Sequence, residues 1–389
     1  MLDKVLIDTE YGFLGDTIHV NCCSVGVPPL RVQRVCQDFL SGEYMDLVMN
    51  RLPDGYEPQR QRTRQKLAQL ICADAANIAF TASTAEGLAI LAAGYPLGPG
   101  DNVVTTDLEN PAGLLPWINA RDNRGFELRI VRTQNGCVSA DELMRAADRN
   151  TKILCLSAVQ YGTGFLSDLA EIGRRCRSRG ILFAVDAIQA VGRIPIDVES
   201  MDIDYLSCGG FKALAASFGV GFVFCTPAVR QTLRPVYAGA ASTPRFPTAP
   251  AVFTPDYSLK RYGDARALET GSHNTFGIRM LEESTDLLLH LGIDNIHAHI
   301  TSLESQLRTA LRGVSLDVPA PPEKNRSGIV VATYPEGLYA EVNAILARYN
   351  IILTSRPGYI RLALNSYNTA EHVQRIAEAL RTVACLCAA

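Results

Sequence analysis

The chain lacks the features that mark exported, membrane-spanning and nucleic-acid-binding proteins. Its formal net charge is −3, and its acidic and basic residues are interspersed, so no basic stripe points to DNA or RNA. No apolar run approaches the roughly 20 residues that a helix needs to cross a bilayer. Residues 1–8 carry acids where a signal peptide would be basic and then apolar. We therefore expect a cytoplasmic protein with no membrane or nucleic-acid partner.

Cysteine and histidine occur without the spacing that a disulfide framework or a metal site requires. The 11 cysteines are odd in number and form no CxxC pair, and the 6 histidines show no metal-ligand spacing. In a reducing compartment such cysteines pack as small apolar side chains. We expect free thiols and no metal centre.

The length and the periodicity of the chain predict an α/β protein of two domains. A chain of 389 residues that is 47% hydrophobic can bury a large core. From about residue 17 to residue 257, helix-like and strand-like segments alternate, which is typical of a mostly parallel sheet between helices. Strands are predicted at 77–80, 102–106, 127–131, 152–157, 181–185, 205–207 and 220–224, and helices at 141–148 and 168–179.

The rest of the chain predicts a smaller C-terminal α+β domain. Residues 237–262 are rich in Pro, Ala, Ser and Thr, which indicates an irregular loop. The smaller domain should contain helices at 274–290, 294–312 and 369–383 and strands near 327–333 and 351–363. We predict a large domain at 17–262, a small domain at 1–16 and 274–389, and a connecting segment at 263–273.

The most informative residues are an aspartate, a glutamine three positions later and a lysine that follows the next strand. Residues 181–185 form an apolar run of the buried-strand type, so Asp186 falls at the sheet edge where α/β proteins bind ligands. The amine of Lys212 can form a Schiff base with the aldehyde of pyridoxal 5′-phosphate (PLP), and Asp186 can pair with the protonated pyridine nitrogen. The amide of Gln189 can reach the phenolic oxygen. Each residue alone has a plain structural interpretation, but the spaced set predicts PLP.

With these residues the chain resembles the class V branch of fold-type I PLP-dependent enzymes. That branch includes cysteine desulfurases, C–S lyases, isopenicillin N epimerase-like proteins and serine–glyoxylate-type aminotransferases. The resemblance runs from Val20 and Asn21 to Tyr367 and Asn368. It implies a homodimer with shared active sites that acts on a small amino acid.

The resemblance implies further cofactor-binding residues. Residues 80–86 read as a strand end turning into a helix start, where Thr84 and Ala85 would bind the phosphate; alone, the same turn could be a simple helix cap. Ser272 lies in an element that resembles the family's Gly-Thr-Pro-Asn, whose hydroxyl residue reaches the phosphate of the neighbouring subunit. Asn110 occupies the position of the histidine that stacks on the PLP ring in many members.

The resemblance also implies a substrate site. Arg361 matches the late arginine that grips the substrate α-carboxylate, for which a planar two-pronged donor is well suited, although an arginine ion-paired at a strand end is the plain alternative. Asn21 and Cys22 belong to the N-terminal segment that lines the substrate pocket in relatives. For Cys22 and Cys23 we expect packing in the pocket wall rather than catalysis.

Two departures from the family pattern shape the expected chemistry. Both common imidazole partners are missing, because Asn110 and Phe211 stand where histidines are frequent, and this leaves Lys212 as the acid and base. The segment 353–361 before the late arginine contains no cysteine, whereas desulfurases need a nucleophilic thiol there. A standard desulfurase is therefore disfavoured.

We expect a PLP-dependent lyase that removes the Cα proton and eliminates the β-substituent of cysteine or an S-conjugated cysteine. The departures from the family motifs indicate an unusual substrate, and we expect a role in secondary metabolism. Decarboxylating or oxidative deamination, epimerisation and transamination remain open, as does the side chain of the substrate. A scaffold that has lost catalysis is the alternative outside enzymology. The joint retention of Lys212, Asp186, Gln189 and Arg361 speaks against it.

Overall fold

The computed structural model describes residues 2–52, 55–244 and 259–388. The described strands are β1 Ile18–His19, β2 Ile78–Thr81, β3 Asn102–Thr106, β4 Glu127–Val131, β5 Thr151–Ser157, β6 Leu182–Asp186, β7 Tyr205–Gly209, β8 Gly221–Cys225, β9 Ile329–Thr333, β10 Ile351–Ile352, β11 Thr354–Arg356 and β12 Tyr359–Ala363. The described α-helices are α1 Lys4–Tyr11, α2 Leu30–Asp38, α3 Tyr44–Val48, α4 Glu57–Leu70, α5 Thr84–Gly94, α6 Pro111–Arg124, α7 Ala140–Ala146, α8 Leu169–Ser178, α9 Pro227–Thr232, α10 Thr275–Leu291, α11 Ile293–Ala310, α12 Tyr339–Arg348 and α13 Ala370–Ala388.

A seven-stranded sheet organises the larger part of the chain. Its order is β2-β8-β7-β6-β5-β3-β4, and β8 runs antiparallel to both neighbours while the other pairs are parallel. Alternate residues of β6 enter two different hydrophobic clusters, Phe183 on one face and Ala184 on the other. Burial on both faces explains the continuous apolar runs of the central strands. The predicted α/β fold of fold-type I is confirmed.

A smaller antiparallel sheet, ordered β11-β12-β9, follows. The single strand predicted at 351–363 is wrong: it consists of β10, β11 and β12. Pro357 cannot donate a backbone hydrogen bond and Gly358 has φ +76°, so the chain reverses between β11 and β12. β1 pairs in parallel with β10, which joins the start of the chain to this part. The proposed division into domains stays a prediction.

Part of the loop predicted at 237–262 can be compared with the structure. Residues 245–258 lie outside the described residues, and the flanking stretches contain only the short 3₁₀ turn Ala240–Ser242. Within the described ranges, no helix has the length and apolar character needed to span a membrane. The same ranges contain no cluster of acidic, histidine and cysteine side chains placed to hold a metal ion.

A buried arginine joins the two parts. Arg193 is 1% exposed, and its guanidinium donates to the carbonyl oxygens of Gln189 at 3.3 Å, Ser327 at 3.0 Å and Leu364 at 2.9 Å. None of the described carboxylates forms an ion pair with it. Arginine stays charged in proteins, so these carbonyl dipoles replace the water that its charge has lost.

We expect Arg193→Met to lower the free energy of unfolding by roughly 3 kcal/mol or more, because it leaves buried carbonyl oxygens without donors. Arg193→Lys should also destabilise, since a single ammonium cannot copy the planar fork. Urea unfolding measures both changes. The exposed Arg312→Met is the matched control and should shift stability by no more than about 0.5 kcal/mol. Equal stability of the Arg193 and Arg312 variants would contradict the bridging role.

Candidate active site

All the predicted cofactor residues except Ser272 lie around one cavity of about 200 Å³ at the carboxyl ends of the parallel strands. Asp186 ends β6, Ser157 ends β5, and Lys212 follows β7 by three residues. The residues lining the cavity are Ser83, Thr84, Ala85, Asn110, Ala112, Ser157, Val159, Tyr161, Asp186, Ile188, Gln189, Phe211 and Lys212.

Asp186 is a buried carboxyl group in the wall of this cavity. It is 3% exposed, and its Oδ1 accepts the backbone N–H of Ile188 at 3.0 Å. Burial raises the pKa of Asp186 to about 6, while this hydrogen bond and the charge of Lys212 act in the opposite direction. Because burial disfavours the ionised form of Asp186, a carboxylate at this position needs a cationic partner. A protonated pyridine nitrogen is such a partner.

Lys212 is held by the packing of its backbone and leaves its amine free. The Gly26 N–H donates to the carbonyl oxygen of Phe211 at 2.9 Å, and a Cβ at Gly26 would lie 1.8 Å from the Lys212 carbonyl oxygen. Only glycine allows this approach. Among the described residues, none forms a hydrogen bond or ion pair with the Lys212 Nζ. Burial lowers the pKa of the Lys212 amine, which favours the neutral, nucleophilic form.

Gln189 is fixed by the N-terminal segment. Its Nε2 donates to the Cys23 carbonyl oxygen at 3.0 Å, and the side chain is buried. An amide nitrogen carries two hydrogens, so one remains for a second acceptor. A phenolate oxygen would be such an acceptor, and Gln189 lines the cavity.

The turn between β2 and α5 is built to bind an anion. Ser83 caps α5 by accepting the N–H of Glu86 at 3.1 Å. The backbone N–H groups of Thr84 and Ala85 donate to no described residue and point from the start of an 11-residue helix. Thr84 Oγ1 accepts the N–H of Gly209 at 2.9 Å, so its hydroxyl hydrogen is available for a phosphate.

Asn110 is the N-cap of α6. Its Oδ1 accepts the N–H of Ala112 at 3.0 Å, which fixes the side-chain plane at the cavity wall. Its Nδ2 donates to no described residue. An asparagine here can contact a bound ring but cannot move protons.

Glu109, directly before Asn110, was missed by sequence reasoning. It is 7% exposed, and its Oε1 accepts from Thr106 Oγ1 at 3.0 Å, the Ser157 N–H at 3.1 Å and Gln160 Nε2 at 2.9 Å. Its Oε2 accepts from Ser157 Oγ at 2.5 Å. Burial raises the pKa of Glu109 despite these hydrogen bonds. A lone acid in a loop gives no sign in the sequence of such a buried network.

Arg361 lies on β12 beside the cavity. Its guanidinium donates to the Tyr161 carbonyl oxygen at 2.9 Å, to Ser24 Oγ at 3.0 Å and to Thr354 Oγ1 at 3.2 Å. Its buried Nε has no partner among the described residues. None of these partners is a carboxylate, so the charge of Arg361 remains available to an anionic ligand. Asn21 supports the cluster by accepting the Thr354 hydroxyl at 2.7 Å.

The adjacent cysteines of the N-terminal segment are both buried. The Cys22 Sγ lies 3.5 Å from the carbonyl oxygen of Ala363 and belongs to the hydrophobic core rather than to the cavity lining. Burial raises the pKa of Cys22 to about 11, so it is a thiol at neutral pH.

Ser272 lies apart from the Lys212 cavity. It is exposed and borders a second cavity, of about 180 Å³, together with Ala82, Glu86 and His273. Its neighbour His273 is held by Glu269, whose Oε2 lies 2.8 Å from His273 Nε2. Within one chain Ser272 therefore does not contribute to the lining of the Lys212 cavity.

The residues present fit PLP. The chain offers an unpaired amine, a buried carboxyl group, free N–H groups at a helix N-terminus and an amide with one hydrogen to donate, all on one cavity. Each matches a different functional group of the cofactor.

Comparison with known sequences gives matches that cover most of this chain. The family model for class-V aminotransferases matches residues 29–376. A probable cysteine desulfurase of Methanothermobacter thermautotrophicus is 26% identical over 398 residues, which covers 95% of this chain and 96% of the relative.

Solved structures have the same fold. A cysteine desulfurase of Thermococcus onnurineus NA1 superimposes with a TM-score of 0.86 at 19% identity, covering 99% of this chain and 98% of the other. The cystine C–S lyase C-DES, in complex with its product cysteine persulfide, gives a TM-score of 0.85 at 20% identity and covers 96% of this chain and 100% of the other. At these identities the likeness concerns the fold.

The raised pKa of Asp186 predicts a pH-dependent stability of the cofactor-free protein. The folded state binds the proton more tightly than the unfolded chain, whose aspartate has a pKa near 3.8. The stabilisation that protonated Asp186 gives the folded state is therefore complete below pH 3.8, and it is lost as the pH rises through about 6. Asparagine mimics the neutral form, so the advantage of Asp186→Asn over the parent should grow by about 1 to 2 kcal/mol between pH 5 and pH 8.

Urea unfolding at the two pH values measures this change. The exposed Asp8→Asn is the matched control, for which we expect the same difference from the parent at both pH values. An Asp186→Asn advantage that does not depend on pH would refute the assignment of a raised pKa.

Proposed function

Because the chain belongs to the class-V aminotransferase family of fold-type I, PLP-dependent enzymes, we propose that it binds PLP at the Lys212 cavity and cleaves the C–S bond of cysteine or an S-conjugated cysteine by β-elimination. When bound, PLP withdraws electrons from Cα of the substrate. The proposal includes a cytoplasmic homodimer with shared active sites, in which Ser272 of each copy reaches the phosphate bound by the other. A place in secondary metabolism remains part of the proposal.

Each cofactor residue has a separate task. Lys212 carries the cofactor covalently and Asp186 binds the pyridine nitrogen, while Gln189 donates to the phenolic oxygen. Thr84 and Ala85 hold the phosphate through the N-terminus of α5. Asn110 packs against the ring.

The substrate is oriented by the cluster on β12. Arg361 binds the α-carboxylate, and Thr354 and Ser24 keep its guanidinium in place. Asn21 holds Thr354. Cys22 packs beneath this strand, against the carbonyl oxygen of Ala363. A fixed carboxylate determines which bond at Cα faces the ring, and thereby which bond breaks.

The observation that carries elimination is the tight hairpin before Arg361. β11 and β12 are joined by only Pro357 and Gly358, and neither strand contains a cysteine. Sulfur transfer needs an accepting thiolate, whereas Cys22 is a buried thiol whose pKa is raised to about 11. Elimination needs no protein thiol.

The elimination needs one side chain, which acts as the base. The Lys212 amine takes the Cα proton, the Cβ–S bond breaks, and the sulfur leaves with the bonding electron pair as a thiolate. The three-carbon remainder is released and hydrolyses to pyruvate and ammonia. The burial that lowers the pKa of Lys212 favours the unprotonated amine that the first step needs.

Sulfur transfer is the second candidate. The relative from M. thermautotrophicus bears the name probable cysteine desulfurase, and that reaction would leave alanine and a protein persulfide. Decarboxylation, epimerisation and transamination would give other products. The product of the reaction separates all of these.

We expect the purified protein with PLP to convert an S-substituted cysteine into free thiol, pyruvate and ammonia. The Cys22→Ala/Cys23→Ala double variant should keep this turnover within about a factor of three, because elimination needs no protein thiol. Lys212→Ala is the inactive control. Mass spectrometry and a thiol assay measure the products. Alanine as the product, lost in the double cysteine variant, would instead establish sulfur transfer through one of these thiols.

Arg361→Lys should raise the KM for the amino acid at least about tenfold, since lysine cannot bind a carboxylate with two parallel hydrogen bonds. The change in kcat should be smaller, because the lysine charge still attracts the carboxylate. Arg356→Lys, an exposed position on the same hairpin, is the control and should behave like the parent. Steady-state kinetics with both variants test this role. An unchanged KM in Arg361→Lys would remove Arg361 from the substrate site.

A further inference from the structure

A second buried carboxylate lies behind the residue that would bind the pyridine nitrogen. Glu109 Oε2 and Asp186 Oδ2 lie 3.3 Å and 3.7 Å from one shared point, the position that a Cβ at Gly113 would take. Gly113 has no side chain that would occupy this point. The strand residue beside Asp186 is Ser157, which donates both its N–H and its hydroxyl to Glu109.

The donors around Glu109 favour a fixed anion. Ser157 N–H and Gln160 Nε2 can only donate, and both are directed at Oε1. Thr106 Oγ1 accepts the Leu108 N–H at 3.3 Å, which leaves its hydroxyl hydrogen for Glu109. None of the described residues forms an ion pair with Glu109. In its ionised form Glu109 would therefore carry a charge that no described residue neutralises by an ion pair.

We propose that Glu109 is a positioning residue that supplies a second negative charge behind Asp186 and thereby keeps the proton on the pyridine nitrogen of bound PLP. The proposal rests on PLP binding at Asp186 and is independent of which bond of the substrate breaks. A protonated ring withdraws electrons more strongly than a neutral one. Glu109 would act through Asp186 and the ring without contacting the substrate.

The charge of Glu109 adds to a defined set of groups around Asp186. Lys212 faces it from the segment after β7, and the thiols of Cys155 and Cys208 lie on the flanking strands β5 and β7. Burial keeps both thiols protonated, because it raises their pKa values above the usual range. The amine of Lys212 would be attached covalently to the cofactor and would no longer be a free ammonium group. Of the described charged groups that shift the pKa of Asp186, Glu109 then remains.

Glu109 Oε2 and Asp186 Oδ2 are at most about 7 Å apart, because they lie 3.3 Å and 3.7 Å from one point. At an effective dielectric constant of about 20, a charge at that separation changes the proton affinity of Asp186 by more than tenfold. In the Glu109→Gln variant we therefore expect the pyridine nitrogen of bound PLP to titrate at least about one pH unit lower than in the parent. ¹⁵N NMR of the holoenzyme loaded with [¹⁵N]PLP measures this protonation directly, whatever the reaction.

Two further variants make the test specific. Glu304→Gln is the matched control: Glu304 is 0% exposed and accepts from the Gly328 N–H at 2.6 Å and Arg308 Nε at 2.8 Å, but it lies on α11. It should leave the ring titration unchanged. Thr106→Val removes one donor from Glu109 and should shift the ring titration in the same direction by a smaller amount, which keeps the proposal testable if Glu109→Gln does not fold.

The outcomes separate this inference from the proposed function. If the parent protein binds no PLP, both the role of Glu109 and the proposed function are wrong. A parent that binds PLP, with the ring titration unchanged in Glu109→Gln and Thr106→Val, overturns the role of Glu109 alone, even where the variants are less stable. A lower titration in Glu109→Gln with none in Glu304→Gln establishes it.

Discussion

The structure depends most on a buried cation that has no carboxylate partner. Arg193 joins the turn after β6 to the strands of the smaller sheet through carbonyl oxygens of both. That turn carries Asp186 and Gln189, and the smaller sheet carries Arg361. Arg193 is therefore one of the contacts that fix the position of Arg361 relative to Asp186 and Gln189. An ion pair at this place would have tied Arg193 to a single partner, whereas five donors on a rigid plane can hold three chain segments together.

Burial shifts the pKa values of the cation and of the acids of the site in opposite directions, and this difference makes the site suited to a reactive ligand. Burial lowers the pKa of the cation Lys212 and raises those of the acids Asp186 and Glu109. Lys212 and Asp186 are pushed towards the neutral form until a ligand enters, whereas the four hydrogen bonds to Glu109 oppose the effect of burial on its carboxylate. A cofactor that brings a basic nitrogen and an aldehyde relieves the cost for Asp186 and for Lys212 at once. The same arrangement would be unfavourable in a protein that held no ligand there.

The sequence predicts the cofactor site better than the network behind it. Residues that end buried parallel strands must meet at one edge of the sheet, so Asp186 and Lys212 could be brought together from the strand pattern alone. Glu109 and Arg193 depend on contacts between segments far apart in the chain, and each alone looks like an ordinary surface charge. Helix α4 was missed because most of its residues are polar and give no clear apolar stripe. The predicted strand at 351–363 was wrong because it ran across Pro357 and Gly358, a dipeptide that is typical of turns.

The hairpin before Arg361 also constrains what can leave. With elimination as the proposed chemistry, the departing sulfur must take a proton from somewhere or leave as a thiolate. Tyr359, on the same strand as Arg361, already donates its hydroxyl to the Gly162 carbonyl at 3.0 Å, and burial raises its pKa to about 12. It is therefore a poor proton donor. A thiolate leaves faster when the corresponding thiol has a lower pKa. The sulfur of a disulfide or of an aromatic conjugate forms such a thiolate. These substrates therefore suit this site better than free cysteine.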